Sequence, residues 1–383
     1  MFGPGKLVTC SVRRRFEGRG SAFDPPRFGA LLACAVVALT LGGVALSATS
    51  APSTARGRDA VFSTRGRITN LAADGNQVAL ARSRTRGDCG RVVVWTAPGR
   101  KSRSFKTLAA KQPDCGEGAP RGYSVGQLAL GGGQVAWIGI TGGNNVELHL
   151  EAAKLSGRAA KEIDFRSYSG DGRGEWVGRL LGGGPLLAYN RWGLVCDEEC
   201  PPEKLLRVGE ELVRISTARR IVVKRGRDSY PLGAVGGGRM AVKSAGAVKV
   251  LAPTGSPVAA VAAVKGNPPR AIALSRTHLA VARMMTLDLY DPATARQTKS
   301  IPLGPAASLR LVAVNSKLAL LGGRHKLVLV RLSDGKHIAL PLPSRRIVGS
   351  SLSTAGLFYA YNRRTSPEGR VVFEPTATLL NRF

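Results

Sequence analysis

Across 383 residues the chain carries 56 lysines and arginines against 25 aspartates and glutamates, a net charge of +31, with 48 glycines and only 5% aromatic residues. No long amphipathic helical pattern appears, and runs rich in Val and Leu are bounded by Gly, Pro, Asn and Ser, which excludes a helical repeat and reads as all-β. So large a positive excess favours anionic partners, while the scarcity of aromatics to stack on bases argues against nucleic acid.

The first 56 residues stand apart. Lys6, Arg13, Arg14, Arg15, Arg19 and Arg27 precede an apolar run over residues 29–46, and the small residues Ser47 to Ala51 follow it, which is the order of an export signal. Positive charge ahead of the run predicts an N-terminus held in the cytoplasm and a body that crosses the membrane. The run is long for a signal core and barely long enough to span a bilayer, so a cleaved signal peptide and a retained anchor helix both fit. Leu31-Leu32-Ala33-Cys34 is similar to a lipoprotein cleavage box, but most of the apolar run lies after the cysteine rather than before it. The expected location is extracytoplasmic, either secreted or anchored through residues 29–46.

From residue 57 to 383 one short phrase recurs: a turn, two residues that are mostly apolar, an alanine, then an apolar or aromatic residue. Its alanines are Ala79, Ala136, Ala188, Ala241, Ala280, Ala319 and Ala360, spaced by 57, 52, 53, 39, 39 and 41 residues. That is the period of a four-stranded propeller blade and not of a helical repeat. The first unit predicts strands over Ile68 to Ala72, Val78 to Ala81, Val92 to Trp95 and Phe105 to Leu108. The turn after the first strand is Asp74-Gly75-Asn76, and later units place Gly131 to Gly133, Gly182 to Gly184 and Gly236 to Gly238 there. A phosphate-binding loop would need a Lys-Ser/Thr pair opening a helix, so these triplets read as tight hairpins that exploit the positive φ open to glycine. Small alanines suit the crowded inner part of a wedge. The ring closes either with residues 376–380 as a last outer strand or with an N-terminal strand near Ala60 to Ser63.

Third strands end in a second set of turns, Ala97-Pro98-Gly99, Pro253-Thr254-Gly255, Asp291-Pro292-Ala293 and Ser333-Asp334-Gly335. With these hairpins the chain resembles the WD40-like and YVTN-like β-propeller superfamily, and Leu287 to Thr294 is the closest local match. The Gly-His and Trp-Asp pairs of strict WD40 units are absent. The expected fold is therefore a seven-bladed β-propeller of four-stranded antiparallel blades, preceded by an N-terminal signal or anchor helix.

In such a fold the loops joining second to third strands share a face with those joining one blade to the next. Spacings above 50 residues in the first three units predict swollen loops on that face. Cys10 and Cys34 belong to the leader, whereas Cys89, Cys115, Cys196 and Cys200 are even in number and lie in polar segments, which predicts two disulfides and an oxidising compartment. A Cys89–Cys115 bridge would tie neighbouring loops and a Cys196–Cys200 bridge would pin the loop of the third unit; spacing alone does not choose the pairing. Metal binding is not expected, because His149, His278, His325 and His337 are scattered and Asp197-Glu198-Glu199 reads as a solvated acidic loop. Ligand-binding candidates on the swollen face are Arg121, Tyr123, Tyr168, Arg173, Asn190, Arg191, Trp192, Arg227, Tyr230, Arg363 and Arg364.

No Ser/His/Asp or Cys/His set converges at equivalent positions, so no catalytic residue and no cofactor is assigned. The expected function is a non-catalytic binding or scaffold module of the cell envelope, with a protein or an anionic envelope polymer as partner. The alternative is an exported hydrolase or lyase with its site at the channel mouth.

Overall fold

The computed structural model describes residues 60–82, 91–107, 124–141, 145–169, 174–195, 206–217, 219–226, 231–323, 325–343 and 346–383. These form 28 strands and almost no helix. Strand β1 (Ala60–Thr64) comes first, and the next four form one antiparallel sheet: β2 (Ile68–Asp74), β3 (Gln77–Arg82), β4 (Arg91–Thr96) and β5 (Ser102–Lys106). An eight-stranded sheet follows, made of β6 (Ser124–Gly131), β7 (Gln134–Thr141), β8 (Asn145–Lys154), β9 (Ala160–Ser169), β10 (Gly174–Gly183), β11 (Leu186–Val195), β12 (Leu206–Ser216) and β13 (Arg219–Gly226). A single residue pair, Gly174 with Tyr168, joins its two four-stranded halves. The fourth group is β14 (Leu232–Gly236), β15 (Arg239–Ser244), β16 (Ala247–Leu251) and β17 (Pro257–Val261). The fifth is β18 (Ala271–Leu274), β19 (Leu279–Ala282), β20 (Thr286–Tyr290) and β21 (Gln297–Pro302). The sixth is β22 (Arg310–Val314), β23 (Leu318–Gly322), β24 (Leu327–Arg331) and β25 (His337–Ala339).

The last sheet settles how the chain closes. Its strands β26 (Ile347–Leu352), β27 (Gly356–Asn362) and β28 (Gly369–Pro375) are completed on the outside by β1, paired antiparallel with β28 from Ala60–Phe373 to Thr64–Gly369. Residues 376–380 form the short helix α1 (Thr376–Leu380) instead of a strand. Aromatic packing reinforces the closure: Phe62 of β1 stacks on Trp95 at 5.4 Å, and Trp95 meets Phe358 edge-on at 6.3 Å.

The first strands of the sheets pack in cyclic sequence, β2 on β6, then β10, β14, β18, β22 and β26, with β26 returning to β2. This is an all-β, propeller-like arrangement of four-stranded antiparallel sheets. Each repeated alanine lies on a second strand, and all seven are completely buried. Apolar clusters fill the seams between neighbouring sheets, so both faces of each sheet are covered and the strands need no polar alternation.

Two expectations change. The extra length of the second and third units lies largely in longer strands, β8 to β12 having 10 or 11 residues where β18 to β25 have three to six, and not in loops alone. The glycine triplets also divide their work. Gly132 and Gly133 have the positive φ of a tight hairpin, but Gly131 does not; a Cβ there would lie 2.1 Å from the Leu186 carbonyl oxygen, and one at Gly182 would lie 2.1 Å from that of Leu130. The first glycine of the triplet thus lets adjacent backbones touch near the axis. Gly182→Ala is expected to destabilise the fold by about 1–3 kcal/mol through overpacking, whereas Gly133→Asn, with open space and a left-handed conformation that Asn tolerates, stays near wild type; urea denaturation of both variants checks this.

Candidate functional site

Six of the seven inner strands carry a β-bulge near their start, at Thr69, Gly126, the Gly178–Arg179 step, Gly233, Val312 and Val348. A bulge removes a backbone group from the ladder and leaves it to find another partner. Side chains of the preceding sheet supply that partner. Asn70 donates to the Gly126 carbonyl (2.9 Å), Gln127 to that of Gly178 (2.7 Å) and Arg179 to that of Gly233 (3.4 Å). Farther round, Lys243 Nζ donates to the Arg270 carbonyl (3.0 Å), Arg270 to that of Ala307 (3.0 Å), and Asn362 exchanges two bonds with the Ile68 backbone. The start of the inner strands is thereby stitched from sheet to sheet.

These strands enclose an axial cavity of about 930 Å³. Its two ends differ. Where the strands end, hairpin turns bond to one another: Gly132 N–H donates to Gly184 (2.7 Å), Gly184 N–H to Asp74 Oδ1 (2.9 Å), and Ser353 Oγ to Gly75 (2.5 Å). Burial holds Asp74 above the ordinary carboxylate range despite the N–H groups of Gly184 and Gly75.

Where the strands begin, Arg179, Lys243, Arg270 and Arg310 line the wall; at the opposite end stand Asp74, the one carboxylate among the lining residues, and Arg276 of the turn after β18. Burial, then the charge of Arg310, lowers the pKa of Arg179. Burial, then the charges of Arg179 and Arg310, lowers that of Lys243. Arg310 is exposed to the cavity with no hydrogen bond or ion pair among the described residues. Like charges gathered in a walled space without counter-charge attract an anion, whose arrival removes the repulsion they hold. A second depression of about 680 Å³ lies beside this mouth, lined by Arg67, His325, Arg346, Arg363 and Arg364 among others.

The residues singled out in the sequence are distributed differently. Arg121, Tyr123, Arg173, Arg227, Tyr230 and the cysteines Cys89, Cys115, Cys196 and Cys200 lie outside the described residues, as does the run 29–46. Tyr168 is stacked on Trp176 with centroids 3.5 Å apart, at the join of the two halves of the eight-stranded sheet. Asn190 is buried; its Oδ1 accepts the Arg179 N–H (2.9 Å), so it holds the bulge that presents Arg179. The Trp192 ring covers Gly178, leaving no room for a Cβ there. Arg191 is held by Glu211 (2.6 Å) and Asp164 (3.3 Å). Arg363 pairs with Glu368 (3.0 Å), and Arg364 is exposed in the second depression. Of the candidates among the described residues, Arg363 and Arg364 alone line either cavity. Among the described residues no group of three His, Cys, Asp or Glu could hold a metal, and no helix is long and apolar enough to cross a membrane.

Asp164 organises the seam beside Arg191. Its carboxylate accepts from Tyr189 Oη (2.7 Å) and is met by Arg166 (3.1 Å), Arg191 (3.3 Å) and Arg220 (3.3 Å). Burial, followed by the Asp164 charge, pushes the Tyr189 phenol far above its usual range.

No protein-family model matches the chain, and no curated protein matches it. Solved structures do. The β-propeller domain of the Trilobed protease from Pyrococcus furiosus, described as having an open velcro topology, aligns at 8% identity and a TM-score of 0.50, covering 81% of this chain and 96% of that one. The β-propeller domain of Myceliophteria thermophila Cps50 (Swd1) aligns at 12% identity over 82% of this chain and 98% of its own (TM-score 0.40). The Pan2 WD40 domain of Neurospora crassa aligns at 13% identity over 81% and 90% (TM-score 0.40). The first of these places the chain in the β-propeller fold.

Two outcomes are expected. Asp164→Asn removes the counter-charge from three guanidinium groups and lowers stability by about 3 kcal/mol, measured by chemical denaturation. Lys243 has a folded pKa below its unfolded value, so its half-buried charge opposes folding at neutral pH; this penalty begins to lift as pH rises through the lowered pKa and is gone above the unfolded value. Wild-type stability relative to Lys243→Met is therefore expected to increase as pH rises from neutrality past the ordinary lysine value of about 10.5, read by thermal melts at low salt.

Proposed function

We propose that residues 57–383 form a seven-bladed β-propeller that serves, without catalysis of its own, as an extracytoplasmic binding module of the cell envelope, and that its partner presents an anionic group to the mouth of the axial cavity. The single observation that carries this reading is the gathering of Arg179, Lys243, Arg270 and Arg310 where the inner strands begin, with the lone lining carboxylate, Asp74, at the far end beside Arg276. The seven-blade count is supported by the cyclic packing of the inner strands and by seven equivalent buried alanines. Export rests on the leader, with its basic lead-in and the apolar run 29–46, cleaved or kept as an anchor. Rigid blades with the ligand-facing groups at strand ends give such a module its preorganisation.

Sulfate or phosphate is expected to raise the melting temperature of the full chain by several degrees at an ionic strength where chloride has no comparable effect, because a ligand that binds only the folded state stabilises it by mass action. Arg310→Ala, which breaks no bond to a described residue, should leave the anion-free melting temperature unchanged and weaken phosphate binding about tenfold, the worth of one charge-assisted contact. Equal stabilisation by chloride and phosphate, or full phosphate affinity in Arg310→Ala, would refute the assignment.

A further inference from the structure

Among the described residues, the axial cavity and the second depression are two cavities walled by several cations that no carboxylate pairs. Elsewhere the carboxylates are spent on arginines: Arg166 with Glu175, Arg191 with Glu211, Arg283 with Asp288, Arg331 with Asp334 and Arg382 with Glu374. In the second depression, Arg67, Arg346 and Arg364 are all exposed and have no ion pair or hydrogen bond among the described residues. Exposed arginines without such partners occur on other faces too, Arg100 and Arg276 among them, but Arg100 lines neither cavity and Arg276 stands at the Asp74 end of the axial one, whereas Arg67, Arg346 and Arg364 share one cavity wall.

The two cavities adjoin along two strands. On β2, Ile68 and Thr69 line the outer cavity and Asn70 the axial one; on β26, Ile347 and Val348 line the outer and Gly349 the axial. Both steps fall at the bulges of these strands, where the extra residue turns one wall toward each cavity. A single small anion cannot occupy both basins, about 930 and 680 Å³ in size. A chain of oxyanion groups can. Each guanidinium offers a planar fork of donors matched to a carboxylate or phosphate.

Deepening the reading given under Proposed function and resting on it, we propose that the two cavities form one track for a linear polyanion, with one oxyanion seated on the axial cluster and the chain running over the β2 and β26 bulges to Arg67, Arg346 and Arg364. The track takes a flexible polymer of phosphate or carboxylate groups, and the outer arginines bind successive repeats of it. Because the repeats are linked, outer contacts multiply affinity through effective concentration rather than by a stronger single contact.

The test titrates the full chain with orthophosphate, glutamate, long-chain polyphosphate and poly-L-glutamate by calorimetry at fixed ionic strength. It compares wild type with an outer triple variant (Arg67→Ala, Arg346→Ala, Arg364→Ala), an axial variant (Arg310→Ala) and a control on the opposite face (Arg100→Ala, Lys101→Ala), each checked for an unchanged melting temperature. The expected result is that the outer triple weakens one or both polymers at least tenfold and leaves the monomeric anions within twofold, while the axial variant weakens monomer and polymer together. Preference for one polymer identifies the repeat as phosphate or carboxylate. Unchanged polymer affinity in the outer triple overturns the track while leaving the axial site standing. An equal loss in the opposite-face control also overturns it, by reducing the effect to bulk charge. Failure of orthophosphate and glutamate to bind wild type removes the axial reading on which the track depends.

Discussion

The constraint on which the rest of this structure depends is crowding at the axis. Wedge-shaped sheets arranged around one centre bring their first strands closer together than side chains of ordinary size permit. Close approach is possible only because Gly131 and Gly182 let carbonyl oxygens of Leu186 and Leu130 occupy the space a Cβ would fill, and because the second strands present alanine to the seam. Trp137 and Tyr189 stand on second strands beside the alanines and Trp95 on a third strand, all three buried in the seams, so large and small residues share the close packing of the interior.

Crowding at one end of the inner strands is matched by opening at the other. Bulges in six of these strands add twist, free backbone carbonyls, and draw in Asn70, Gln127 and Arg179 to satisfy them, while Lys243 and Arg270 make similar bonds to the Arg270 and Ala307 carbonyls outside the bulges. One local irregularity thus serves two ends. It holds neighbouring sheets together through side chain to backbone bonds, and it brings long cationic side chains to the rim of the cavity. Structural and recognition roles share residues here: Arg179 and Lys243 support the ring while raising the potential of its mouth, and Arg310 contributes charge alone.

Much of the fold was legible in the chain because alanine spacing and hairpin glycines report directly on wedge geometry. Ring closure by β1 was not, since Ala60 to Thr64 and residues 376–380 both satisfy the pattern of an outer strand; pairing with β28 and the stack of Phe62 on Trp95 decide between them. The strand lengths of the second and third units were misread as loops because a long strand such as β9, rich in exposed polar residues, has the composition of a connection even though it pairs with the adjacent β8. The axial cations escaped notice for a different reason. Arg270 and Arg310 stand at or next to the start of inner strands, as Arg67 and Arg346 do, whereas Arg179 lies at the bulge within β10 and Lys243 near the end of the second strand β15. Read one by one they are surface cations; only the cyclic arrangement turns these separate positions in different repeats into a cluster. The aromatic and asparagine candidates failed in the opposite direction, because Tyr168 and Asn190 have the composition of a binding loop but are consumed by stacking and by a buried hydrogen bond.

The placement of acidic groups completes the electrostatic picture. Asp164, Glu211, Asp288 and Glu374 neutralise arginines in the seams and at the rim, and Asp74 stands alone among them at the glycine-lined floor of the axial cavity. At the floor Asp74 and Arg276 offset one another, whereas at the mouth four cations stand together, so the positive potential is highest where the inner strands begin, behind protein walls that screen poorly. The hairpins at the floor close ranks through backbone bonds around Gly184. The electrostatics of the cavity are therefore one-sided, set by which end of each inner strand carries the bulge and which the glycine turn.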